Sequence, residues 1–301
     1  MCFTRYEEAE FPKGAFRYRL IYQTQNDENL LAQWLMTIKQ DLSMAVIDRQ
    51  SQYLCIEIAL KVALTEEELD TFSSQSGIEL FHLSANPPIL NQAGVLVMDM
   101  DSTAIQIECI DELAKMAGVG QAVSEITERA MQGELDFEES LRARVAQLKG
   151  AKASIIETLC HRLPLMPGLE EMVKELQSYG WYLVLASGGF TAFVEYLKNE
   201  LDLDAAFANT LVIENEKLTG EVSGQVVDAQ FKADTLVACA ERWGIMSGQC
   251  LAIGDGANDI PMIQAADFGI AFHGKPKLTQ VADIAIHKMD LKALPFLLHL
   301  A

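Results

Sequence analysis

The chain has 301 residues, half of them hydrophobic, with a formal net charge of −20 and a pI near 4.6. That length allows one large domain plus a small one with a sizeable core. The acidic balance argues against a nucleic-acid or anionic-membrane surface, since either needs a basic patch; an anionic substrate must be held by a few local cations. The six cysteines are scattered without CxxC spacing, which suggests reduced thiols rather than a disulfide framework or zinc site. The N-terminal MCFTRYEEAEFPKGAF has no basic start followed by an apolar stretch, and no later segment is apolar for long enough to cross a bilayer, so a cytoplasmic protein is expected.

Residues 16–83 read as β-α-β-β-α-β. FRYRLIYQ, MAVIDRQ, YLCIEIALK and IELFHL have strand character, while ENLLAQWLMTIKQDL and TEEELDTFSSQSG have helical spacing with acidic starts. The order predicts a small α+β ferredoxin-like domain over residues 1–84 and resembles the ACT-type domains that often bind amino acids. The first β-to-α loop, residues 24–28, offers no glycine for close approach of a ligand. A packing or homodimerisation module is the equal alternative. SANPPILNQAG, with Pro87, Pro88 and Gly94 as breakers, reads as a linker over residues 85–94.

From residue 95 to the C-terminus, short runs apolar on both faces (VLVMD, YLVLAS, CLAIGD, FGIAF) alternate with helical stretches. This predicts an α/β domain with a Rossmann-like parallel sheet covered by helices on both faces. Residues 107–164 are mostly helical and contain no such run. Inserted after the first strand of a fold whose ligands sit at strand C-terminal ends, they are placed to form a cap. LVIENEKLTGEVSG alternates around Asn215-Glu216 as a β-hairpin would.

Four strand-end motifs carry the chemistry. The first strand runs into Asp99-Met100-Asp101-Ser102-Thr103, and residues two apart on a strand face the same way. Two close carboxylates repel unless a cation or a shared proton lies between them, and magnesium suits an oxygen site that also takes phosphate. Alone, such a pair also serves as a helix cap or turn. The second strand ends in Ser187-Gly188-Gly189, whose hydroxyl and unhindered N–H groups fit a phosphate oxygen, although a tight turn would look the same. Lys232 opens an amphipathic helix where the dipole disfavours a cation; a nearby cluster of anions would explain it, and so would a solvated surface lysine. The GDGAND turn, residues 254–259, follows another apolar run and adds Asp255 as a further metal-ligand candidate.

Occurring in this order, DMDST, SGG, Lys232 and GDGAND resemble the haloacid-dehalogenase-like superfamily of aspartate-nucleophile phosphatases. The resemblance implies Asp99 as nucleophile and Asp101 as general acid/base. It implies Mg2+ held by Asp99, the Asp101 backbone carbonyl and Asp255, phosphate held by Ser187, Gly188 and Lys232, and Asn258 and Asp259 orienting Lys232 and the metal's waters. A dehalogenase is disfavoured by the second aspartate, Asp255 and the helical cap. A phospho-aspartate receiver would lack Asp101's acid/base partner. Within the superfamily, the stretch after DMDST resembles the phosphoserine phosphatases. Glu108 matches their residue for the substrate ammonium, Arg144 that for the carboxylate, and Met131 and Phe137 the apolar lid. Taken singly, Glu108 and Arg144 could be solvated helix charges, and Met131 and Phe137 lid core. The implied activity is hydrolysis of O-phospho-L-serine, the last step of serine biosynthesis. The same chemistry on another small phosphomonoester, or transfer to an acceptor alcohol, stays open.

Overall fold

The computed structural model describes residues 3–8, 15–73, 77–83 and 87–301. In the N-terminal part the elements are β1 (Phe3–Arg5), β2 (Phe16–Tyr22), α1 (Gln25–Leu35), β3 (Leu42–Ile47), β4 (Leu54–Leu60), α2 (Glu66–Ser73) and β5 (Glu79–His82). They form a five-stranded sheet of order β1-β3-β4-β2-β5, in which β3-β4-β2-β5 are antiparallel neighbours as a ferredoxin-like fold requires. β1, running parallel to β3, extends it.

Two local expectations change. The helix expected over ENLLAQWLMTIKQDL starts earlier, capped by Thr24 and Asp27 in a reciprocal capping box, so the supposed loop 24–28 is mostly first turn. It stops at Leu35, and Leu42, the last residue of the expected helix, opens β3 instead. Ala85 and Asn86 of the expected linker, with Ser84 before it, lie outside the described residues. The rest is anchored rather than free: Leu90 N–H donates to His299 O, His299 N–H donates to Pro88 O, and Leu90 is fully buried.

The N-terminal sheet is buried on both faces, and period-two alternation sorts its side chains. Tyr18, Leu20, Tyr22, Ile56 and Ile58 pack on α1. The other face carries Arg17, Arg19 and Glu57, and meets the C-terminal segment 291–298 of the larger domain. Glu57, fully buried, accepts from Arg17 Nε (2.9 Å), Arg19 Nε (2.7 Å) and the Tyr6 hydroxyl (2.7 Å). Arg19 also donates to the carbonyls of Phe296 and Leu298, and Arg49 to those of Pro295 (2.9 Å) and Leu298 (2.8 Å). The carbonyls left over at the irregular C-terminal turn thus find charged donors across the domain boundary.

The larger domain continues with β6 (Val95–Met98), α3 (Cys109–Met116), α4 (Gly120–Met131), α5 (Phe137–Gln147), α6 (Ser154–Cys160), α7 (Leu169–Ser178), β7 (Tyr182–Phe190), α8 (Thr191–Leu201), β8 (Ala205–Glu214) and β9 (Lys217–Ser223). It ends with α9 (Ala229–Trp243), β10 (Cys250–Gly254), α10 (Ile260–Ala265), β11 (Phe268–Phe272), α11 (Pro276–Thr279) and β12 (Ile284–Ile286). The sheet order is β12-β11-β10-β6-β7-β8-β9, parallel except for the β8–β9 hairpin. Val95 and Val97 join one buried layer with Leu236 and Met262, while Leu96 and Met98 join the other with Leu113 and Met172, so helices cover both faces. In the hairpin turn Asn215 and Glu216 both have positive φ (49° and 62°), the combination that matches the twist of two strands joined by two residues.

α3 to α6 form the cap. Its entry and exit are stitched side by side, with Gln106 N–H donating to Pro164 O and Met166 N–H to Ala104 O. At its far end Gly150 N–H donates to Leu218 O and Ala153 N–H to Glu216 O, so the β8–β9 hairpin supports the cap. The chain leaves β6 toward β7 on one side and β10 lies on the other, which puts the topological switch point at the C-terminal ends of β6 and β10. Among the described residues, no helix is long and apolar enough to cross a membrane.

Candidate active site

A cavity of about 390 Å³ opens at that switch point, between the sheet and the cap. Asp99, Asp101, Ser187, Gly188, Asp255 and Asn258 line it from the sheet side, and Glu108, Met131, Phe137 and Arg144 from the cap. Lys232 and Asp259 lie beneath, both buried.

The two first aspartates share the cavity for a different reason than strand alternation. β6 ends at Met98, and residues 100–104 make one wide turn closed by Ile105 N–H donating to Met100 O. Ser102 sits in the left-handed region at φ 58°, a conformation uncommon outside glycine. The turn swings Asp101 back over the site, where its Oδ1 accepts from Cys109 N–H (3.1 Å) at the start of α3. The Ser102 hydroxyl donates to Glu108 Oε1 at 2.9 Å. Ser102 is thus a site residue that the motif contained but spacing did not single out.

Lys232 Nζ is 2.8 Å from Asp99 Oδ1 and 2.8 Å from Asp259 Oδ1. Burial opposes its charge, yet the two carboxylates outweigh burial and raise its pKa, keeping the ammonium protonated. Asp259 Oδ2 accepts from the N–H groups of Asp255 (3.1 Å) and Gly256 (3.0 Å), so its carboxylate is spent on holding Lys232 and the turn. Among the described residues Asp99 and Asp259 hold the ammonium; Asn258 stands on the cavity wall instead.

One carboxylate oxygen each from Asp99, Asp255 and Asp259 lies within 4.8 Å of the others. Burial, then Asp259, push the Asp99 carboxyl well above its ordinary range and raise Asp255 to about 6. Crowded carboxylates with an all-oxygen donor set fit a hard divalent cation. With Asp259 committed to hydrogen bonds, Asp99 and Asp255 are the side chains left to hold it. Asp101 is pushed up to about 7 by burial, with Glu108 adding to the shift. A carboxyl poised there can give up and take back a proton near neutral pH.

On the cap side Arg144 is half-buried, and its Nε donates to Ser140 O of its own helix (3.3 Å). Among the described residues no carboxylate lies within ion-pair distance of its guanidinium. Burial lowers its pKa, opposed by Asp111, Glu108 and Asp101 around it. The cap touches the phosphate loop: a Cβ on Gly188 would lie 2.9 Å from Phe137 Cζ, so the bare backbone is what admits the ring. Met131 reaches the rim but is 81 % exposed. Asp111, Thr127 and Lys275 also line the cavity and were not anticipated. Lys275 Nζ stands 3.9 Å from Asp255 Oδ2, and its signal was its position just after the apolar run FGIAF.

Residues 94–267 match the family model of haloacid dehalogenase-like hydrolases. A phosphoserine phosphatase of Haemophilus influenzae is 59% identical over 211 residues, covering 70% of this chain and 67% of that protein. Another, of Vibrio cholerae, is 55% identical over 199 residues, covering 66% of this chain and 61% of that protein, so the chain aligns with only about three-fifths of that relative's length. The crystal structure of a probable phosphoserine phosphatase from Vibrio cholerae, unliganded, superposes with a TM-score of 0.79 at 41% identity over 95% of this chain and 86% of that one. The chain therefore belongs to the haloacid dehalogenase-like hydrolases and, within them, to the phosphoserine phosphatases.

Proposed function

We propose that this chain hydrolyses O-phospho-L-serine to L-serine and inorganic phosphate through a phosphoryl group carried on Asp99. The observation that carries the reading is one cavity lined both by the Lys232-held Asp99 and by Arg144, which has no carboxylate partner among the described residues. Phosphoserine has a group for each part: a phosphate, an ammonium for Glu108 and a carboxylate for the arginine fork.

Magnesium would be held by the carboxylates of Asp99 and Asp255 and the backbone carbonyl of Asp101, and when bound it supplies charge neutralisation that lets an anionic nucleophile approach an anionic ester. Lys232, 2.8 Å from Asp99 Oδ1, aims that carboxylate and opposes the burial that disfavours its charge. Ser187 and the Gly188 N–H bind the phosphoryl oxygens. The Asp99 carboxylate attacks phosphorus and the bond to the serine oxygen breaks, while the Asp101 proton passes to that oxygen. Asp101, now a carboxylate, takes a proton from water, which attacks the aspartyl-phosphate and releases phosphate and free Asp99. Phe137 and Met131 supply the apolar lid, Asn258 a polar contact on the wall, and Asp259 orients Lys232.

We assign residues 1–84 to the ferredoxin-like domain, 85–94 to the connection and 95–301 to the catalytic domain, with its cap at about 107–164. The protein is read as cytoplasmic, without nucleic-acid or membrane partners. A homodimer through the N-terminal domain would have to use helices or sheet edges, because the open sheet face is covered by the same chain.

The deciding experiment measures inorganic phosphate release from L-phosphoserine, with magnesium and with chelator, beside phosphothreonine, phosphoethanolamine and sugar phosphates. Strong preference for phosphoserine that chelator abolishes supports the reading. Even turnover across the panel would keep the Asp99 chemistry and remove the amino-acid clamp.

A further inference from the structure

β7 and β8 lose register where the phosphate loop begins. Ala186 pairs with Phe207 and Phe190 with Asn209, so Ser187, Gly188 and Gly189 pass opposite Ala208 alone. A bulge of this kind leaves backbone groups without their ladder partners, and buried ones must be satisfied elsewhere. The Asn209 side chain, 2 % exposed, does so with both ends of its amide. Nδ2 donates to Gly188 O at 2.8 Å, and Oδ1 accepts from Val227 N–H at 2.9 Å. On the opposite edge of the Gly188–Gly189 peptide, Gly189 N–H donates to Ser187 Oγ at 2.9 Å. A hydroxyl oxygen that already accepts keeps its own hydrogen to donate outward.

We infer that Asn209 is a positioning residue of the phosphate site: its amide sets the Gly188–Gly189 peptide, makes Ser187 a donor toward the phosphoryl group, and ties that loop to the segment leading into the Lys232 helix. Val227 lies just before Asp228, the N-cap of α9, so one side chain links the hydroxyl and the ammonium that converge on the phosphate. No other side chain among the described residues bonds both segments. The inference rests on the phosphatase reading but not on the choice of phosphoserine, because the amide acts only at the phosphate end of the cavity.

The test is Asn209→Asp, which keeps an acceptor for Val227 N–H and replaces the donor to Gly188 O by a carboxylate oxygen. Steady-state rates are measured with magnesium on phosphoserine and on p-nitrophenyl phosphate, together with inhibition by inorganic phosphate and by L-serine. The expected result is at least a tenfold fall in kcat/KM on both esters and at least tenfold weaker phosphate inhibition, with serine inhibition within twofold of wild type. A variant that folds with unchanged phosphate inhibition, or that loses serine and phosphate inhibition alike, overturns the positioning role. Wild-type turnover of p-nitrophenyl phosphate without turnover of phosphoserine sinks the substrate assignment and leaves this comparison intact. Should the variant not fold, hydrogen exchange on the wild-type protein decides. Segments 186–190 and 225–228 should gain protection together when inorganic phosphate is added, and independent responses overturn the inference.

Discussion

The Ser102 hydroxyl donates to Glu108 Oε1 at 2.9 Å from a backbone held at φ 58°. The residue beside Asp101, the proposed general acid, therefore aims the carboxylate proposed to bind the substrate ammonium. Removing the bond in Ser102→Ala leaves the cavity lined as before but frees Glu108 to rotate. A hydrogen bond to a charged group contributes about 1.5 kcal/mol or more, so KM for phosphoserine should rise by about tenfold. Turnover of p-nitrophenyl phosphate, which has no ammonium, should stay within about twofold by the same reasoning. Equal losses on both compounds would assign Ser102 to the turn instead of to Glu108.

Arg144 stands half-buried without an ion pair among the described residues, which leaves its fork for an incoming carboxylate. Truncating one member of a desolvated bidentate pair costs about 2–5 kcal/mol. Arg144→Ala should accordingly raise KM for phosphoserine by about thirtyfold or more, on the tenfold-per-1.4 kcal/mol scale. Phosphoethanolamine, lacking the carboxylate, should lose little, and a matching loss on it would exclude the clamp.

Asp99→Asn removes the proposed nucleophile and should abolish phosphate release while the far-UV circular dichroism stays that of the wild type. Substantial remaining turnover with normal metal dependence would take Asp99 out of that role.

Burial, with the Asp259 charge adding to it, raises the carboxyl groups of Asp99 and Asp255, and a cation between them would offset both effects. Magnesium should therefore raise the Tm of the wild-type protein, with each tenfold in free metal above saturation adding about 1.4 kcal/mol of stability. Asp255→Asn should lose most of this shift and leave the metal-free Tm equal or higher. A shift of the same size in the variant would mean that magnesium binds elsewhere.

The domain contact sets the acid limb of stability. Burial by itself would raise the Glu57 carboxyl, but Arg19 and Arg17 outweigh burial and hold its pKa below the ordinary value. Glu8 is held low as well, burial being overcome by His299, Arg49 and Arg19. A depressed carboxyl pKa gives stability that is complete above the unfolded value, about 4.3 for Glu, and lost as pH falls through the folded value. The share of stability that these two carboxylates carry should thus be nearly level from neutral pH down to about 5 and fall below that, and is read as the difference in Tm between wild type and Glu57→Gln across pH. In Glu57→Gln, Arg17 and Arg19 keep their burial but lose the countercharge, a cost of about 3–5 kcal/mol at neutral pH. The variant's acid limb should be shallower. An unchanged limb would show that these carboxylates do not govern acid unfolding.

What lay open to reading in the amino-acid sequence was local. VLVMD and CLAIGD are apolar on both faces because both are central strands, and DMDST and GDGAND follow them at the ends where the helices leave room for a ligand. Binary pattern and turn chemistry act over a few residues, so the β-α-β-β-α-β order, the cap insert and the hairpin at Asn215-Glu216 could be recognised. The motif containing Asp99 and Asp101 could be recognised too, although strand alternation was not what brings their carboxylates together; the wide turn with Ser102 at positive φ does that.

Contacts between segments far apart in the chain were decided by the tertiary structure alone. Local pattern showed Lys232 only as a cation on the wrong end of a helix, and it was the resemblance that paired it with Asp259; the 2.8 Å contacts to Asp99 and to Asp259, which lies in the turn after β10, come from packing. Asn209 gave no local sign, since its use comes from a register shift against a neighbouring strand. FRYRLIYQ could be recognised as a strand, but that Arg19 would donate to the Phe296 and Leu298 carbonyls and Arg17 lie beside His299 was set by packing. Periodicity tells a residue which face it is on, but not what that face will meet, because the free energy of docking depends on the shape and charge of a surface assembled from elsewhere in the chain.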